Sequence, residues 1–447
     1  MSEYSNFTII GVTGFGESGS SAVTNILEEF KCIKLLRGGA EFECKFFTNT
    51  IFPLETALKN QLYVNAAVKE MLYQAYTLSK DKFYAENFGT DNFIKLTNEY
   101  INSVTGVWLG GSYSERDSFF ISKKEQNNFV KAKALFNSLY KNAYNLYEQY
   151  HWEPSFQQVA NQYYGKFTDD FYTKTQEYTA KLFNITGEKQ RFVLVDAMFR
   201  PETAVQELNW YTNAKFIIVD RDPRDLYILS KVYKGEPYLP TWNVDSYIDW
   251  FKTYRSCNEC NAAYPEKILQ LRFEDLIYKY EESLVRIKTF LSLTDDEHIK
   301  KGQVFIPEKS RTNTQVFRKH PEYAGDIRKI EKKLSEFCYN YSEEQIRCFE
   351  SKDEIGSGVI IEDIRKQAII FQKTGRLPFS KFKGAFLFSL LYLNCMTLRN
   401  RKTFFSKIKG FIKIFFSMII FPADFLYKLI YIIQFQSKNK NKIVEFR

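Results

Sequence analysis

Lys215-Phe-Ile-Ile-Val-Asp-Arg-Asp-Pro-Arg-Asp225 is the stretch of sequence that decides the fold. Its first half is a short apolar run, which is typical of a strand buried on both faces. The charged half predicts a loop, and Leu226, Leu229 and Val232 then continue at helical spacing. A strand, a loop and a helix in succession form the repeating unit of a parallel α/β sheet.

Other apolar runs fit the same unit. Strands are predicted at 7–12, 191–196 and 267–272, and helices at 20–30, 201–211 and 283–291. Residues 51–189 are polar, aromatic and mostly helix-like, with few glycines. The sequence therefore predicts an α/β fold: a P-loop-like parallel sheet flanked by helices, with a helical insertion. Ligands of such a sheet bind at the carboxyl ends of the strands.

Gly14-Phe-Gly-Glu-Ser-Gly-Ser-Ser21 joins the first strand to the first helix. Glycines let the backbone turn tightly, so that successive N–H groups and the helix N-terminus converge on an anion. The spacing of Gly14 and Gly19 matches a Walker A loop, but Ser20 stands where that loop requires Lys. Taken alone, the motif also fits a strand–helix turn that binds nothing.

Together, the two loops resemble those of the sulfotransferase superfamily, whose donor is 3′-phosphoadenosine-5′-phosphosulfate (PAPS). The first loop is Gly14–Ser21, and the second is Asp220-Arg-Asp-Pro-Arg-Asp225, called the Arg221 segment below. The resemblance implies that the first loop binds the 5′-phosphosulfate and that the Arg221 segment binds the 3′-phosphate. The donor-binding residues would then be Gly16, Glu17, Ser18, Gly19, Ser20, Ser21 and Arg221. Leu269-Gln-Leu-Arg-Phe-Glu-Asp-Leu276 and Lys309-Ser-Arg-Thr-Asn-Thr-Gln-Val-Phe-Arg-Lys319 are similar to two later blocks of the family, so the likeness covers residues 7–30 and 190–340.

The block 309–319 is called the late loop below. By the same resemblance, three of its basic residues are implied as phosphate ligands: Lys309, Arg311 and Arg318. The family also uses a Ser eight residues after the Arg of the second loop. Position 229 is Leu here, and Ser230 is one residue late, which turns it by roughly 100° on an α-helix. Ser230 is therefore a candidate ligand only if the helix begins differently.

Glu17 departs from the family pattern, because it stands where the family has Lys or Arg. A carboxylate near the developing charge of the leaving phosphate repels it by about 1–4 kcal/mol at surface-like dielectric. Two readings stay open. Either Glu17 points away and Arg200, Lys45 or Lys231 supplies the positive charge, or PAPS is not used in the usual way.

Sulfuryl transfer to a hydroxyl needs a base that takes the acceptor proton. Glu41 lies where carbohydrate-type members of the family place a glutamate base, Glu43 is the alternate on the same segment, and Asp196 at a strand end is the third candidate. None of the three histidines lies near a recognisable block. No metal is expected.

Charge is distributed unevenly along the chain. The net charge is +9, and residues 376–447 hold 14 Lys and Arg against two acidic residues, a balance of +12 that leaves 9 − 12 = −3 for the rest. A nearly neutral body argues against nucleic acid as a partner. The tail alternates strongly apolar runs with basic flanks, which favours a peripheral anchor on an anionic membrane, with two helices packed on the body as the alternative.

The sequence thus predicts a sulfotransferase-like domain at 1–50 and 190–345, a helical insertion at 51–189 that binds the acceptor, and the basic apolar tail at 376–447. The seven cysteines have no framework spacing and no signal peptide is seen, so we expect a cytoplasmic protein at the inner face of the membrane. The predicted reaction is sulfuryl transfer from PAPS to a hydroxyl of a glycan. The alternatives are a non-catalytic scaffold of the same fold in a glycan-assembly complex and, more weakly, a P-loop kinase or NTPase.

Overall fold

A parallel sheet of five strands lies at the centre of the protein, in a computed structural model that describes residues 7–36, 45–112, 123–143, 158–184, 190–233 and 239–347. The strands are β1 (Thr8–Gly14), β2 (Ile33–Leu35), β3 (Gly106–Ser112), β4 (Gln158–Tyr164), β5 (Phe192–Asp196), β6 (Ala214–Asp220) and β7 (Ile268–Arg272). The sheet has the order β2-β5-β1-β6-β7, while β3 and β4 pair separately as an antiparallel ribbon. The predicted parallel α/β fold is confirmed.

Alternating side chains of the strands feed two hydrophobic cores, one on each face of the sheet. Ile10 and Val12 of β1 pack with the first helix and with the helices after β7. Ile9 points the other way, into a core shared with the residue 45–184 region. Both faces of the strands are therefore buried, which explains why the strands are continuous apolar runs without polar alternation.

Helices cover both faces of the sheet. The α-helices are α1 (Ser20–Glu28), α2 (Lys45–Asn60), α3 (Val64–Leu78), α4 (Lys82–Phe88), α5 (Thr90–Val104), α6 (Lys123–Ala143), α7 (Phe171–Asn184), α8 (Ala204–Glu207), α9 (Pro223–Ile228), α10 (Val244–Arg255), α11 (Asn258–Ala262), α12 (Phe273–Tyr278), α13 (Tyr280–Leu291), α14 (Pro307–Ser310), α15 (Ala324–Lys333) and α16 (Glu343–Arg347). A π-helical turn, Leu229–Tyr233, follows α9 directly.

The described residues between β2 and β5 are mainly helical, and they also include the ribbon of β3 and β4, which the sequence pattern does not reveal. The ribbon has few of the marks of a buried strand, because its side chains are largely exposed: Trp108 is 54% exposed and Leu109 is 71% exposed. Aromatic residues of the helices fill the core of this region. The ring of Phe93, for example, contacts the rings of both Phe46 and Phe88.

β1 lies between β5 and β6, so the chain crosses from one side of the central strand to the other between β5 and β6. Such a reversal of strand order opens a crevice at the carboxyl ends of the strands, where ligands of α/β proteins bind. The first loop and the Arg221 segment both leave the sheet there. In the part of the chain that is described, no helix is long and apolar enough to cross a membrane. The predicted tail, 376–447, lies outside the described residues.

Candidate donor-binding site

The first loop has a left-handed backbone at three of its positions. Gly16, Glu17 and Gly19 have φ values of 82°, 54° and 89°. Gly19 precedes α1 and provides no side-chain cap, so the first N–H groups of this helix are not taken up by a capping side chain. The N-terminus of α1 therefore lies at the loop, where the sequence predicts that an anion binds.

Close packing fixes the shape of this loop. The Phe15 amide donates to Oγ of the buried Ser18 over 3.2 Å. A Cβ atom at Gly14 would lie 1.9 Å from that same oxygen and 2.7 Å from the Val219 carbonyl oxygen. Ser18 therefore serves the loop itself through its side chain, and Gly14 is required because the backbone of β6 leaves no room for a methyl group.

Arg221 is buried, at 5% exposure, directly after β6. Its Nη1 donates to the Glu17 carbonyl oxygen over 3.3 Å, and its Nη2 donates to the Asn313 carbonyl oxygen. Its guanidinium carbon lies 4.4 Å from the centre of the Phe273 ring. Arg221 Nε is buried and has no hydrogen-bond partner among the described residues. The three predicted blocks, first loop, Arg221 segment and late loop, thus meet at one side chain.

The carboxylates around Arg221 have other partners. Asp222 pairs with Arg224 at 2.6 Å and Asp220 pairs with Arg255 at 2.7 Å. Within the described ranges, no carboxylate lies at ion-pair distance from Arg221 itself. A buried guanidinium whose acceptors are neutral carbonyls keeps a charge that an anion can satisfy, and phosphate suits its planar set of donors.

Buried acids tie the Arg221 segment to the helix after β7. The Asp222 amide donates to Glu274 Oε1 over 2.8 Å, and Arg272 lies beside this carboxylate with Nε 3.5 Å from Oε2. Burial raises the pKa of Glu274 to about 7, against the opposing effect of Arg272. Burial likewise raises the pKa of Asp225 to about 6, and the charge of Asp222 adds to the rise.

Phe273 is a site residue that the sequence did not single out. Besides lying against Arg221, its ring occupies the space that a side chain at position 19 would need, since a Cβ at Gly19 would come within 2.4 Å of it. The only signal was its place directly after β7, inside a block that resembles the family. The Asn313 carbonyl was also missed, because backbone acceptors carry no sequence signature.

The late loop, 309–319, begins at the end of α14 and continues as two short helical turns, Arg311–Asn313 and Val316–Lys319. Lys309, Arg311 and Arg318, its predicted ligands, are exposed, and Arg311 lies with its guanidinium 5.9 Å from the Tyr278 ring. The loop is attached to the Arg221 segment by its backbone: the Gln315 amide donates to Asp225 Oδ2 over 2.7 Å. The structure thus brings the loop to the site through backbone groups and leaves its basic side chains facing solvent.

Ser230 is fully buried within the π-helical turn 229–233. A π turn accommodates one residue more than an α-turn, and such turns recur at functional sites. The one-residue offset of Ser230 from the family position coincides with this local change of helix type. The structure therefore offers a physical reason why a serine one residue late can face the same direction.

The catalytic candidates are placed unequally. Glu41 and Glu43 lie outside the described residues. Asp196 ends β5, is half-buried, and its Oδ1 accepts a hydrogen bond from the Ala197 amide over 3.0 Å. Asp196 pairs with Val12 of β1, so it lies at the carboxyl ends of the strands, where the first loop also leaves the sheet.

The candidate substitutes for the missing cation differ in their surroundings. The ammonium of Lys231 donates to the Thr241 carbonyl oxygen over 2.7 Å and lies over the rings of Tyr227 and Tyr323. Arg200 is exposed on the turn before α8, and the side chain of Lys45 is not described. Among the residues that the structure describes, no group of His, Cys, Asp and Glu has the arrangement of a metal site.

Comparison with known proteins agrees with this geometry. The family described as "Sulfotransferase family" matches residues 10–297, which include the first loop and the Arg221 segment. A Caenorhabditis elegans protein, assigned by its name to the protein-tyrosine sulfotransferases, is 30% identical over 111 residues. That alignment covers 24% of this chain and 42% of the relative, so the chain spans less than half of the relative's length.

Proposed function

Because the chain belongs to the sulfotransferase family, we propose that it transfers a sulfuryl group from PAPS to a hydroxyl group of a glycan. The observation that carries the donor half of this proposal is Arg221. It is a buried guanidinium held by two carbonyl oxygens, and among the described residues its Nε has no hydrogen-bond partner and no carboxylate lies at ion-pair distance from it. A site of this kind suits the dianionic 3′-phosphate.

The first loop would hold the other end of the donor. Its left-handed backbone leads directly into α1, and Ser20 and Ser21 add hydroxyl groups at the first turn of that helix. PAPS supplies the activated sulfuryl group when it is bound. The chain's own task is to orient the donor, to stabilise charge on the leaving phosphate, and to remove the acceptor proton. Glu41, Glu43 and Asp196 stay the proposed bases.

Glu17 favours a second candidate, a non-catalytic scaffold of the same fold. Its backbone takes part in the site, because its carbonyl oxygen accepts from Arg221, while both carboxylate oxygens are shielded from solvent. A negative charge at this place opposes the binding of a phosphosulfate. In the scaffold reading, the fold keeps the shape of the donor site without the charge that catalysis needs.

Adenosine 3′,5′-bisphosphate, the product left when PAPS loses its sulfuryl group, tests the site by isothermal titration calorimetry. We expect binding by the wild-type chain and at least tenfold weaker binding by Arg221→Gln, since the variant keeps a polar side chain without the charge. Absence of binding by the wild type at millimolar ligand would refute a PAPS site.

Glu17→Lys separates the working site from the degenerate one. If the wild-type loop binds the donor with Glu17 turned away, the new lysine disturbs it and affinity falls. If the wild-type loop has lost its function, the lysine restores the missing charge and affinity for adenosine 3′,5′-bisphosphate rises. Transfer of labelled sulfate from PAPS decides catalysis independently, because a chain that binds the nucleotide and labels no acceptor is a scaffold.

The acceptor proposal has its own support in the ribbon of β3 and β4. Trp108 and Tyr164 are 54% and 60% exposed, and their rings lie directly over Gly110 and Gly106. Each ring therefore rests one face on a glycine and is open to solvent elsewhere, which suits contact with the apolar face of a sugar ring. The two glycines are four residues apart, roughly 13 Å along a strand, which favours an oligosaccharide over a single sugar.

Tyrosine in a protein is the second acceptor, favoured by the name of the Caenorhabditis elegans relative. Labelled PAPS should be offered in parallel to surface glycans and to acidic tyrosine peptides. Label in the glycan supports the proposal. Label confined to the peptide would mean that the acceptor is tyrosine and that the glycan proposal is wrong. The kinase or NTPase reading predicts magnesium-dependent nucleotide binding, which the same calorimetry measures with and without the ion.

A further inference from the structure

Residues 338–341, called the strap below, run along the back of the Arg221 segment. The Tyr339 amide donates to Asp222 Oδ2 over 2.9 Å, and Arg224 Nη2 donates to the Tyr339 carbonyl oxygen over 2.8 Å. The Tyr341 hydroxyl donates to Asp225 Oδ2 over 3.1 Å. Both backbone groups of one strap residue and the side chain of another are therefore bound to the segment that follows Arg221.

Asp225 joins the strap to the late loop. Besides the Tyr341 hydroxyl, its carboxylate accepts from the Gln315 amide over 2.7 Å and from the Phe317 amide over 3.2 Å. Asp225 is fully buried, so each of these donors replaces a water molecule that the carboxylate lost on folding. Removing one donor leaves a buried acceptor undersatisfied, which costs more than the bond itself contributes.

The late loop reaches Arg221 through Asn313, whose carbonyl oxygen accepts from Nη2 of that side chain. Two residues later, Gln315 has a left-handed backbone with φ of 56°, a conformation that a non-glycine residue keeps only when its surroundings fix it. The side chain of Gln315 adds hydrogen bonds to the Tyr278 hydroxyl and to the Gln345 carbonyl oxygen, which lies beyond the strap.

We propose that Tyr341 is a positioning residue for the 3′-phosphate site, because its hydroxyl completes the set of donors on Asp225 that holds the late loop against Arg221. The inference rests on the proposed donor site. The strap and the late loop both lie beyond the residues 10–297 that the family match covers. The match includes Arg221, so the hydrogen bonds from the strap and the late loop come from residues outside the matched range.

Tyr341→Phe tests the proposal, because it removes one hydroxyl and keeps the ring. We expect adenosine 3′,5′-bisphosphate to bind roughly tenfold more weakly, the size of one hydrogen bond to a charged group. Adenosine 5′-phosphate lacks the 3′-phosphate, so its affinity should stay within about twofold of the wild-type value. A merely structural role for Tyr341 would weaken the two nucleotides equally.

Tyr280→Phe is the matched control. Its hydroxyl is also buried, has no hydrogen-bond partner within the described ranges, and belongs to a residue of α13 that does not bond to Asp225. This variant should bind both nucleotides as the wild type does. Tyr339→Phe gives an intermediate case: it removes the hydrogen bond to Asp275 and keeps the backbone bonds of the strap, so its effect on the bisphosphate should be smaller than that of Tyr341→Phe.

Hydrogen exchange provides a readout that needs no ligand. In Tyr341→Phe the amides of Gln315 and Phe317 should exchange faster than in the wild type, and in Tyr280→Phe they should not. Unchanged exchange at these amides overturns the inference, as does an equal loss of affinity for the two nucleotides. A wild-type chain that binds the bisphosphate and transfers no sulfate removes the proposed reaction and leaves the positioning role standing, so the two failures are distinguishable.

Discussion

Glu207 allows a direct test of how burial of a carboxyl group makes the stability of this fold depend on pH. Its carboxylate is fully buried between α2 and the turn before α8. Oε1 accepts from the hydroxyls of Thr48 and Thr203 over 2.8 and 2.6 Å, and Oε2 is buried with no hydrogen-bond partner in the described part of the chain. Burial raises the pKa of Glu207 to about 7, against the two threonine hydrogen bonds that lower it.

The sign and size of the effect follow from this shift. A raised folded-state pKa means that the folded protein binds the proton more tightly, so the contribution to stability is full below pH 4.5 and is lost as pH rises through 7. Integration between those two values gives a loss of about 2.5 kcal/mol from pH 5 to pH 8. In Glu207→Gln the side chain is neutral at every pH, so this loss should disappear.

Urea unfolding followed by circular dichroism measures the difference at pH 5, 6, 7 and 8. The free energy of unfolding of Glu207→Gln minus that of the wild type should rise with pH by about 2–3 kcal/mol. Glu55→Gln is the opposite control: Lys59, Tyr172 and Trp210 all hydrogen-bond to Glu55, and these bonds outweigh its burial and lower its pKa. That variant should be less stable than the wild type throughout. A flat difference for Glu207→Gln would refute the reasoning.

Four further outcomes are expected. Gly14→Ala should abolish calorimetric binding of adenosine 3′,5′-bisphosphate, because the new methyl group overlaps Ser18 Oγ at 1.9 Å; unchanged affinity would mean that the loop shape does not matter. Ser230→Ala should weaken the bisphosphate several-fold and leave adenosine 5′-phosphate unaffected. Trp108→Ala should raise KM for the glycan and leave KM for PAPS as it was. Deletion of 376–447 should end cosedimentation of the chain with anionic vesicles. Neither the full chain nor the deletion variant should cosediment with phosphatidylcholine vesicles.

The sheet could be predicted because its strands are buried on both faces. Runs such as 215–220 are apolar at every position, and each is followed by a loop and a helical pattern, so their type and order were readable. β2 was missed because three residues are too few to show a period. The ribbon of β3 and β4 was missed because many of its side chains are exposed, and where side chains are exposed hydrophobic periodicity does not indicate a strand.

The site was predictable only where a motif carries it. Arg221 and the first loop were found from residue types at fixed spacing, and the structure brings them together at the ends of β1 and β6. In the late loop, the basic side chains were predicted to form the site. The contacts of this loop with Arg221 and Asp225 are instead made by the backbone groups of Asn313 and Gln315. Amide and carbonyl groups are present at every position, so a sequence does not mark the ones that matter.

Glu17 shows that the shape of a donor loop and its charge can be specified separately. A non-glycine residue in the left-handed region costs roughly 1–2 kcal/mol, yet Glu17 keeps φ of 54° and its carbonyl oxygen binds Arg221. The conformation is therefore imposed by the surrounding loop and does not come from the side chain. Glu17→Gly should then stabilise the fold or leave it unchanged in urea unfolding, and should bind adenosine 3′,5′-bisphosphate at least as well as the wild type. Weaker binding by Glu17→Gly would mean that the carboxylate itself supports the donor site, and the scaffold reading would lose its main argument.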